Sequence, residues 1–220
     1  MSSIVLYNYF RSSTSYRVRI ALHLKKLSYE YRPINLLKGE QHSEEYRKLN
    51  PVGGVPTLVH DGKVIPDSVA IIEYLEQIHS TPSLLPGDAY SAARARQVCQ
   101  IINSSMHPMG NLRLMQYLDK NFGLNSQEQK EEWIQYWLQQ GLSALETTAK
   151  EFAGKYFFGD VVTMADLFLV PQLFSCQRFN VDLKPYPLLT EISDNCLKLE
   201  AFQKAHPGRQ IDTPDDLKLT

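Results

Sequence analysis

The sequence predicts an α/β domain with the element order βαβαββα, followed by an all-α domain. Three observations lead to this prediction. Strand and helix patterns alternate over residues 1–80, and a short segment rich in Pro, Ser and Gly follows at 81–88. Beyond this segment every strong pattern is helical. We therefore expect a sheet domain at 1–80, a linker at 81–88 and a helical domain at 89–220.

The first three elements follow from short-range patterns. The β-branched and aromatic run Ile4–Tyr7 predicts a strand. Apolar residues between Val18 and Leu22 recur at helical spacing, and Ser12 or Ser13 is the natural N-cap of that helix. Tyr29–Arg32 predicts a second strand. Two strands that are joined through a helix favour parallel pairing.

The next elements complete the sheet domain. His42–Leu49 predicts a short helix, which the following Asn-Pro pair ends. Thr57–Ile65 predicts an antiparallel hairpin around the two-residue turn Asp61-Gly62. Apolar residues from Ile71 to Ile78 then mark a third helix, with Ser68 as the candidate N-cap. The sheet is therefore expected to be mixed.

The second domain contains only helical patterns. Residues 89–121 and 127–152 have helical periodicity. Thr163–Asp166 has the capping-box form T-x-x-D, with Asp where Glu or Gln is usual. The run Leu167–Phe174 behind it is apolar on all sides, which indicates a buried central helix, bent at Pro171.

Composition and charge exclude several classes of function. Lys and Arg number 23 against 24 Asp and Glu, so no global field favours nucleic acid or an anionic membrane. No apolar run reaches the ~18 residues of a membrane span, and the N-terminus is unlike a secretory signal. Cys99, Cys176 and Cys196 form no CxxC pair and no zinc-binding pattern. We expect no metal, no disulfide and a cytoplasmic location.

Three polar stretches lie at the ends of consecutive elements of the predicted sheet domain. Arg11–Arg19 places hydroxyls at a helix start, where unpaired N–H groups favour an anion. Asn50–Thr57 puts a proline directly before a strand, so Val55 can pair with a ligand that lies alongside like an extra strand. Asp67 and Ser68 can together hold an ammonium and a carboxylate. Helix capping, an ordinary turn and a solvated loop are the alternatives.

Five motifs occur in order along the chain. They are Y-x-Y-F-R-S-S-x-S-x-R-V-R-I-A-L, N-P-x-x-x-V-P-T-L, S-x-A-I-I-E-Y-L-E, V-T-M-A-D-L-x-L-V-P-Q and R-F-x-V-D-L-x-P-Y-P. They resemble the motifs of the zeta-class glutathione transferases, the class that includes the maleylacetoacetate isomerases. The resemblance runs from Ile4 to about Pro214. It implies the glutathione transferase fold, a thioredoxin-like domain joined to an all-α domain.

The resemblance implies glutathione as the cofactor. The chain has no thiol at the first helix start, where the resemblance favours Ser12 as the critical hydroxyl, with Ser13 beside it. A helix N-terminus lowers the pKa of a thiol from ~8.5 to ~3.5–7.5. Thr14 stands where the family has cysteine, and Gly110 replaces a glutamine. The other implied glutathione contacts are Gln41 near the glycine end, the Val55 backbone with Pro56 at the cysteinyl part, Ser68 at the γ-glutamyl carboxylate, Asp67 in place of a glutamine at the ammonium, and Asn111.

The implied reaction is the cis–trans isomerisation of maleylacetoacetate or maleylpyruvate in aromatic amino-acid catabolism, with the fumaryl isomer as product. A dicarboxylate substrate needs cations, and the candidates are Arg11, Arg17 and Arg178. Arg17 is also a candidate catalytic residue, and each of the three alternatively forms an ordinary ion pair. Arg19 is expected to face away from the site. The resemblance also implies a homodimer.

Two other functions stay open at this stage. The first is a glutathione transferase or dehalogenase that acts on small α-halo acids. The second is a catalytically silent module of the same fold that binds partner proteins. Ser12, Ser13, Val55 and Pro56 argue against the silent module. Fold alone does not decide among the three.

Overall fold

Four short strands form one sheet in the computed structural model, which describes residues 3–219. The strands are β1 (Ile4–Asn8), β2 (Glu30–Pro33), β3 (Thr57–His60) and β4 (Lys63–Pro66). Strand β1 pairs in parallel with β2 and antiparallel with β3, and β3 and β4 form an antiparallel hairpin. The sheet is therefore mixed, as the sequence predicts, and its order is β2-β1-β3-β4. Met1, Ser2 and Thr220, at the ends of the predicted domains, lie outside the described residues.

Three helices connect or follow these strands. Helix α1 (Ser13–Leu24) is buried from Tyr16 to Leu22, because other helices pack on it as well as the sheet. The short helix α2 (Glu44–Leu49) begins after the N-cap Ser43. Helix α3 (Ser68–Ile78) follows β4 and packs on α1.

The hairpin turn has the geometry that its sequence favours. Asp61 and Gly62 both have positive φ, 48° and 79°. A two-residue turn with positive φ at both positions matches the twist of the flanking strands, and Asp-Gly tolerates it. This turn sets the register in which Thr57 pairs with Pro66 and His60 with Lys63.

Leu85–Leu197 forms a second compact unit. Between its helices the described residues contain only isolated β-bridges, near Gly159. The predicted helix over 89–121 is interrupted, because Pro108 has no N–H to donate and Asn111 caps a new helix. The helices of this unit are α4 (Ala89–Gln100), α5 (Leu112–Phe122), α6 (Gln127–Phe152), α7 (Met164–Arg178) and α8 (Pro187–Leu197).

Helix α7 is the centre of the second unit. Every residue from Met164 to Leu173 is buried, and the apolar run Leu167–Phe174 predicts most of this burial. Cys99, Cys176 and Cys196 are buried in this unit. No helix within residues 3–219 has the length and apolar character that crossing a membrane needs.

The predicted helical domain at 89–220 requires a correction at its C-terminal end. The first unit runs to Leu84 and is completed by the chain from Lys198 onward. Helix α9 (Glu200–Ala205) packs on α1. Tyr16 donates its hydroxyl hydrogen to the Phe202 carbonyl at 3.3 Å, and Arg19 Nε donates to the Ala205 carbonyl at 3.0 Å. Contacts of this sequence separation leave no local pattern.

Candidate active site

The N-terminus of α1 presents unpaired backbone donors. Ser12 is the N-cap, with φ −70° and ψ 120°, and its Oγ accepts from the Ser15 N–H at 3.2 Å. The first turn of α1 contains no acidic residue. Within residues 3–219 no group accepts from the N–H of Ser13 or Thr14. Such a helix start stabilises an anion through its N–H groups and its dipole.

Two hydroxyls connect this helix start to the loop before β3. Ser12 Oγ lies 2.8 Å from Thr14 Oγ1, and Thr14 Oγ1 donates to the Val55 carbonyl at 2.8 Å. The carbonyl only accepts, so the single Thr14 proton is committed to it. It follows that the Ser12 hydroxyl is the donor to Thr14. Sequence reasoning singled out Thr14 and Val55 separately but not this bond.

The loop before β3 offers a backbone donor beside the helix start. The Val55–Pro56 peptide bond is cis. The Val55 N–H has no acceptor within residues 3–219, so it is left for solvent or a ligand. Tyr46 donates its hydroxyl hydrogen to the Gly54 carbonyl at 2.6 Å, and the Pro56 carbonyl accepts from the Asp67 N–H at 3.3 Å. The loop is therefore fixed on both sides of Val55.

The start of α3 corrects one expectation. The N-cap is Asp67 and not Ser68, because Asp67 Oδ1 accepts from the Val69 N–H at 2.8 Å. Asp67 has φ 75°, a conformation that costs a non-glycine residue about 1–3 kcal/mol and recurs at functional sites. Ser68 is the first helical residue, is 1% exposed and accepts from Arg17 Nη1 at 3.2 Å. Arg17 itself is 0% exposed.

Gln41 is buried in the turn before α2. Its Nε2 donates to the Leu36 carbonyl at 3.3 Å and lies 3.2 Å from His42 Nε2. Its Oε1 has no hydrogen-bond partner among the described residues. A buried acceptor without a partner costs about 1–3 kcal/mol, and in native proteins it frequently marks the place of a ligand or water.

The remaining predicted residues are distributed over both units. Arg11 is half-buried in the turn before α1. Asn111 belongs to the second unit, where its side chain caps α5 by accepting from the Arg113 N–H at 3.0 Å. Arg178 lies in the last turn of α7, and its guanidinium is 5.5 Å from the Phe179 ring centre. The first unit thus brings together Ser12, Ser13, Thr14, Arg17, Val55, Pro56, Asp67 and Ser68, with Gln41 in the same unit.

Proteins of known family are similar to this chain over most of its length. Residues 6–83 match the family model of the glutathione S-transferase N-terminal domain, and residues 127–195 match that of the C-terminal domain. Maleylacetoacetate isomerase from Mus musculus is 46% identical over 216 residues, which cover 97% of each chain. The chain belongs to the zeta class of the glutathione S-transferases.

Solved structures of zeta-class proteins are similar along almost the whole chain. The holo structure of a maleyl pyruvate isomerase, described as a bacterial zeta-class glutathione S-transferase, has a TM-score of 0.93 at 42% identity. It covers 96% of this chain and 100% of its own. A maleylacetoacetate isomerase from Anaeromyxobacter dehalogenans 2CP-1, with GSH bound in the active site, has a TM-score of 0.87 at 40% identity. That match covers 97% of this chain and 99% of the other.

Gly110, one of three departures from the zeta-class pattern, has ordinary space around it. A Cβ at this position would meet Ile134 Cγ2 at 3.5 Å and Phe179 Cε2 at 3.6 Å. Those are ordinary contacts, so the backbone does not require glycine here. The other two departures, Thr14 and Asp67, have the defined contacts that are given above.

Two further residues hold the backbone around the candidate site, and neither belongs to a motif that predicts this role. Tyr46 fixes Gly54, next to Val55, and also lies 2.9 Å from Thr57 Oγ1. Asp212 accepts from the Phe10 N–H at 3.0 Å, at the turn that leads to Ser12. Tyr46 and Gly54 are 8 positions apart and Asp212 and Phe10 are 202 apart. Neither pair lies within one helix or strand, so no spacing rule could have found these contacts.

Proposed function

We propose that this protein is a glutathione-dependent isomerase that converts maleylacetoacetate or maleylpyruvate to the fumaryl isomer in aromatic amino-acid catabolism. One observation carries the proposal. The helix start at Ser12 offers free N–H groups and hydroxyls for a thiolate, yet the chain has no thiol there. The three cysteines lie in the other unit and are buried. The sulfur therefore comes from a ligand.

The residues of the first unit fit glutathione. The Val55 N–H is available for the cysteinyl backbone, and the unpartnered Gln41 Oε1 is available for an amide donor near the glycine end. Ser68 is presented at a helix N-terminus, where a carboxylate is favoured. Asp67 uses Oδ1 as a cap and keeps its second oxygen for the glutamyl ammonium. Arg17, which donates to Ser68, keeps that hydroxyl oriented.

Glutathione, when bound, supplies a thiolate that adds to the double bond of the substrate and leaves after rotation. Ser12 stabilises the thiolate by turning its hydroxyl hydrogen from Thr14 to the sulfur. The N–H groups of Ser13 and Thr14 add the field of the helix start, which lowers the pKa of the thiol. Arg11 and Arg178 are the proposed partners of the substrate carboxylates, since guanidinium groups bind carboxylates in a bidentate manner.

A substrate panel tests the proposal. Maleylacetoacetate, maleylpyruvate and dichloroacetate are each assayed with and without glutathione. We expect turnover of a maleyl substrate only with glutathione, whose concentration stays constant because addition is reversed by elimination. Turnover by protein freed of all small thiols would contradict the proposal. Activity on dichloroacetate alone would favour a dehalogenase, and failure to bind a glutathione matrix would favour a silent module.

The homodimer and the cytoplasmic location stay predictions. Most homo-oligomers are two-fold dimers, and the resemblance to the zeta class implies one. Sedimentation at micromolar concentration checks the assembly, and a monomer of 25.2 kDa would contradict it. Cell fractionation checks the location.

A further inference from the structure

The chain beyond α8 contains a carboxylate that holds the turn before α1. Asp212 Oδ2 accepts from the Phe10 N–H at 3.0 Å, and Asp212 Oδ1 accepts from the Tyr31 hydroxyl on β2. The two partners belong to different elements, so one side chain connects the edge of the sheet to the turn. Asp212 is 202 positions from Phe10 in the sequence.

The other side of the same turn is held by a buried cation. Arg19 Nη2 donates to the Phe10 carbonyl at 2.9 Å, and Nη1 donates to Asn8 Oδ1 at 3.0 Å and to the Tyr9 carbonyl at 3.4 Å. Burial lowers the pKa of Arg19, whereas nearby tyrosines and Asp212 act in the opposite direction. Both polar groups of Phe10 are thus held by charged side chains.

The turn leads directly to the catalytic hydroxyl. The Ser12 N–H donates to the Tyr9 carbonyl at 3.0 Å, and the Tyr9 N–H lies 3.5 Å from Ser15 Oγ. Displacement of Phe10 would therefore move Ser12 and the free N–H groups that follow it. Hydrogen-bond donors stabilise an anion most when they are fixed in place before it binds.

The segment that carries Asp212 is itself fixed. Thr213 Oγ1 donates to the Pro207 carbonyl at 2.6 Å, and Gln210 Nε2 donates to the His206 carbonyl at 2.7 Å. A Cβ at Gly208 would come within 2.8 Å of Leu219 Cγ. Gln210 and Thr213, on either side of Asp212, are buried, so the segment holds Asp212 in place.

We propose that Asp212 is a positioning residue for the thiolate site, acting through Phe10 and the turn before Ser12. The role rests on the proposed function, because the anion to be stabilised is the glutathione thiolate. If Asp212 acted only through its charge, its removal would change the stability of the thiolate in the opposite direction. Removal of a negative charge would favour the thiolate, whereas loosening the turn disfavours it. The two roles are therefore distinguishable in one measurement.

The experiment compares Asp212→Ala with Asp215→Ala. Asp215 is a matched control, because it is an exposed aspartate three positions away. Among residues 3–219 its carboxylate pairs only with Lys218, at 2.6 Å. Glutathione affinity is measured by calorimetry, and the thiolate fraction by the pH dependence of its ultraviolet absorbance. We expect Asp212→Ala to weaken glutathione binding about tenfold, as loss of one hydrogen bond to a charged group does, and to raise the pKa of the bound thiol. Asp215→Ala should match the wild type.

A second variant and a second measurement keep the test decisive. Asp212→Asn retains an oxygen acceptor for the Phe10 N–H, so we expect a smaller change of about threefold. It carries the test if Asp212→Ala does not fold. Unchanged affinity and thiol pKa in both variants, or a lowered thiol pKa, would overturn the inference. If the wild type itself fails to bind glutathione, the proposed function fails, and amide exchange at Phe10 and Ser12 still decides whether Asp212 holds the turn.

Discussion

The helix starts of α1 and α7 have the same kind of cap and opposite uses. At α7 the carboxylate of Asp166 accepts from the Thr163 N–H at 2.8 Å and the Phe157 N–H at 2.9 Å. At α1 the corresponding position holds Ser15, and no acidic residue lies in the first turn. The start of α7 is closed, because a carboxylate of its own chain occupies the buried first turn. The first turn of α1 contains no carboxylate and is open to an anion from a ligand.

The closed helix start pays an electrostatic cost that the open one avoids. Burial raises the pKa of Asp166 to about 6, although hydrogen bonds from Thr163 and Phe157 oppose the shift. The Asp166 carboxylate is retained at this buried position because its loss would leave the Thr163 and Phe157 N–H groups without acceptors. Buried donors without acceptors would cost more free energy than the buried charge does. At α1 the equivalent N–H, that of Ser12, donates to the Tyr9 carbonyl at 3.0 Å. The N–H groups of Ser13 and Thr14 are left for solvent or a ligand, and no carboxylate of the first turn competes for them.

The largest expected effect is the loss of stability in Asp166→Ala. Two buried N–H groups lose their acceptor at about 1–3 kcal/mol each, so the free energy of unfolding should fall by about 4 kcal/mol. Urea titration measures the change. Asp160→Ala is the control, because Asp160 is exposed. Within residues 3–219 its carboxylate accepts from one N–H, that of Lys155. A loss below about 1 kcal/mol in Asp166→Ala would show that the closed start is not structural.

Ser12→Ala should have the reverse profile. We expect isomerase activity to fall ~10²–10³-fold, because one donor to the anion is lost. Stability should fall by only about 1 kcal/mol, the usual contribution of a serine N-cap. Ser13→Ala is the comparison and should cost far less activity. If both variants turn over within a few-fold of the wild type, the helix dipole and backbone alone hold the thiolate.

A pH titration sharpens the contrast at Asp166. The folded-state pKa of about 6 exceeds the unfolded value of 3.8. Protonated Asp166 therefore favours the folded state, and this contribution is complete below pH 3.8 and is lost as pH rises through 6. The free energy of unfolding of the wild type, relative to Asp166→Asn, should fall by about 3 kcal/mol across that window. Denaturant titrations of both proteins measure the difference, and a flat difference would contradict the raised pKa.

The smallest expected effect is that of Thr14→Cys on catalysis. The Thr14 hydroxyl orients Ser12 and binds the Val55 carbonyl, but it has no thiolate chemistry of its own. We expect the isomerase rates of variant and wild type to agree within about tenfold, with faster inactivation of the variant by reactive halo-acids. A gain of a hundredfold or more would show that a cysteine here is catalytic. It would also favour a divergent transferase.

Local patterns predicted the elements that depend on near neighbours. The mixed sheet, the Ser12 cap and the Thr163–Asp166 box each follow from a few adjacent residues. The Asp67 cap was missed because Ser68 is also a good capping residue. In addition, Asp67 has a positive φ, which is uncommon for a residue other than glycine and is not predicted by a local pattern. The break at Pro108 was missed because apolar periodicity continues on both sides of it.

Long-range contacts account for the rest. Thr14 and Val55 are 41 positions apart, and Asp212 and Phe10 are 202 apart. These pairs form only when whole elements pack together. Thr14 and Asp212 are residue types that are common on protein surfaces, so the sequence does not single them out for these contacts. The sequence therefore predicted which residues the first unit brings together more completely than it predicted the contacts that hold them in place.

The packing of α9 on α1 has a consequence for biosynthesis. The ribosome makes the sheet unit first, then all of α4 to α8, and only afterwards the segment from Lys198 that completes the first unit. The turn before Ser12 therefore waits, during translation, for Asp212 to leave the exit tunnel. Domains that are contiguous in sequence fold as they emerge, but this one closes only after its neighbour has been made. A nascent chain stalled within α8 would contain all of the residues proposed for the thiolate site. It would lack Asp212, the acceptor for the Phe10 N–H, so the site would be incomplete.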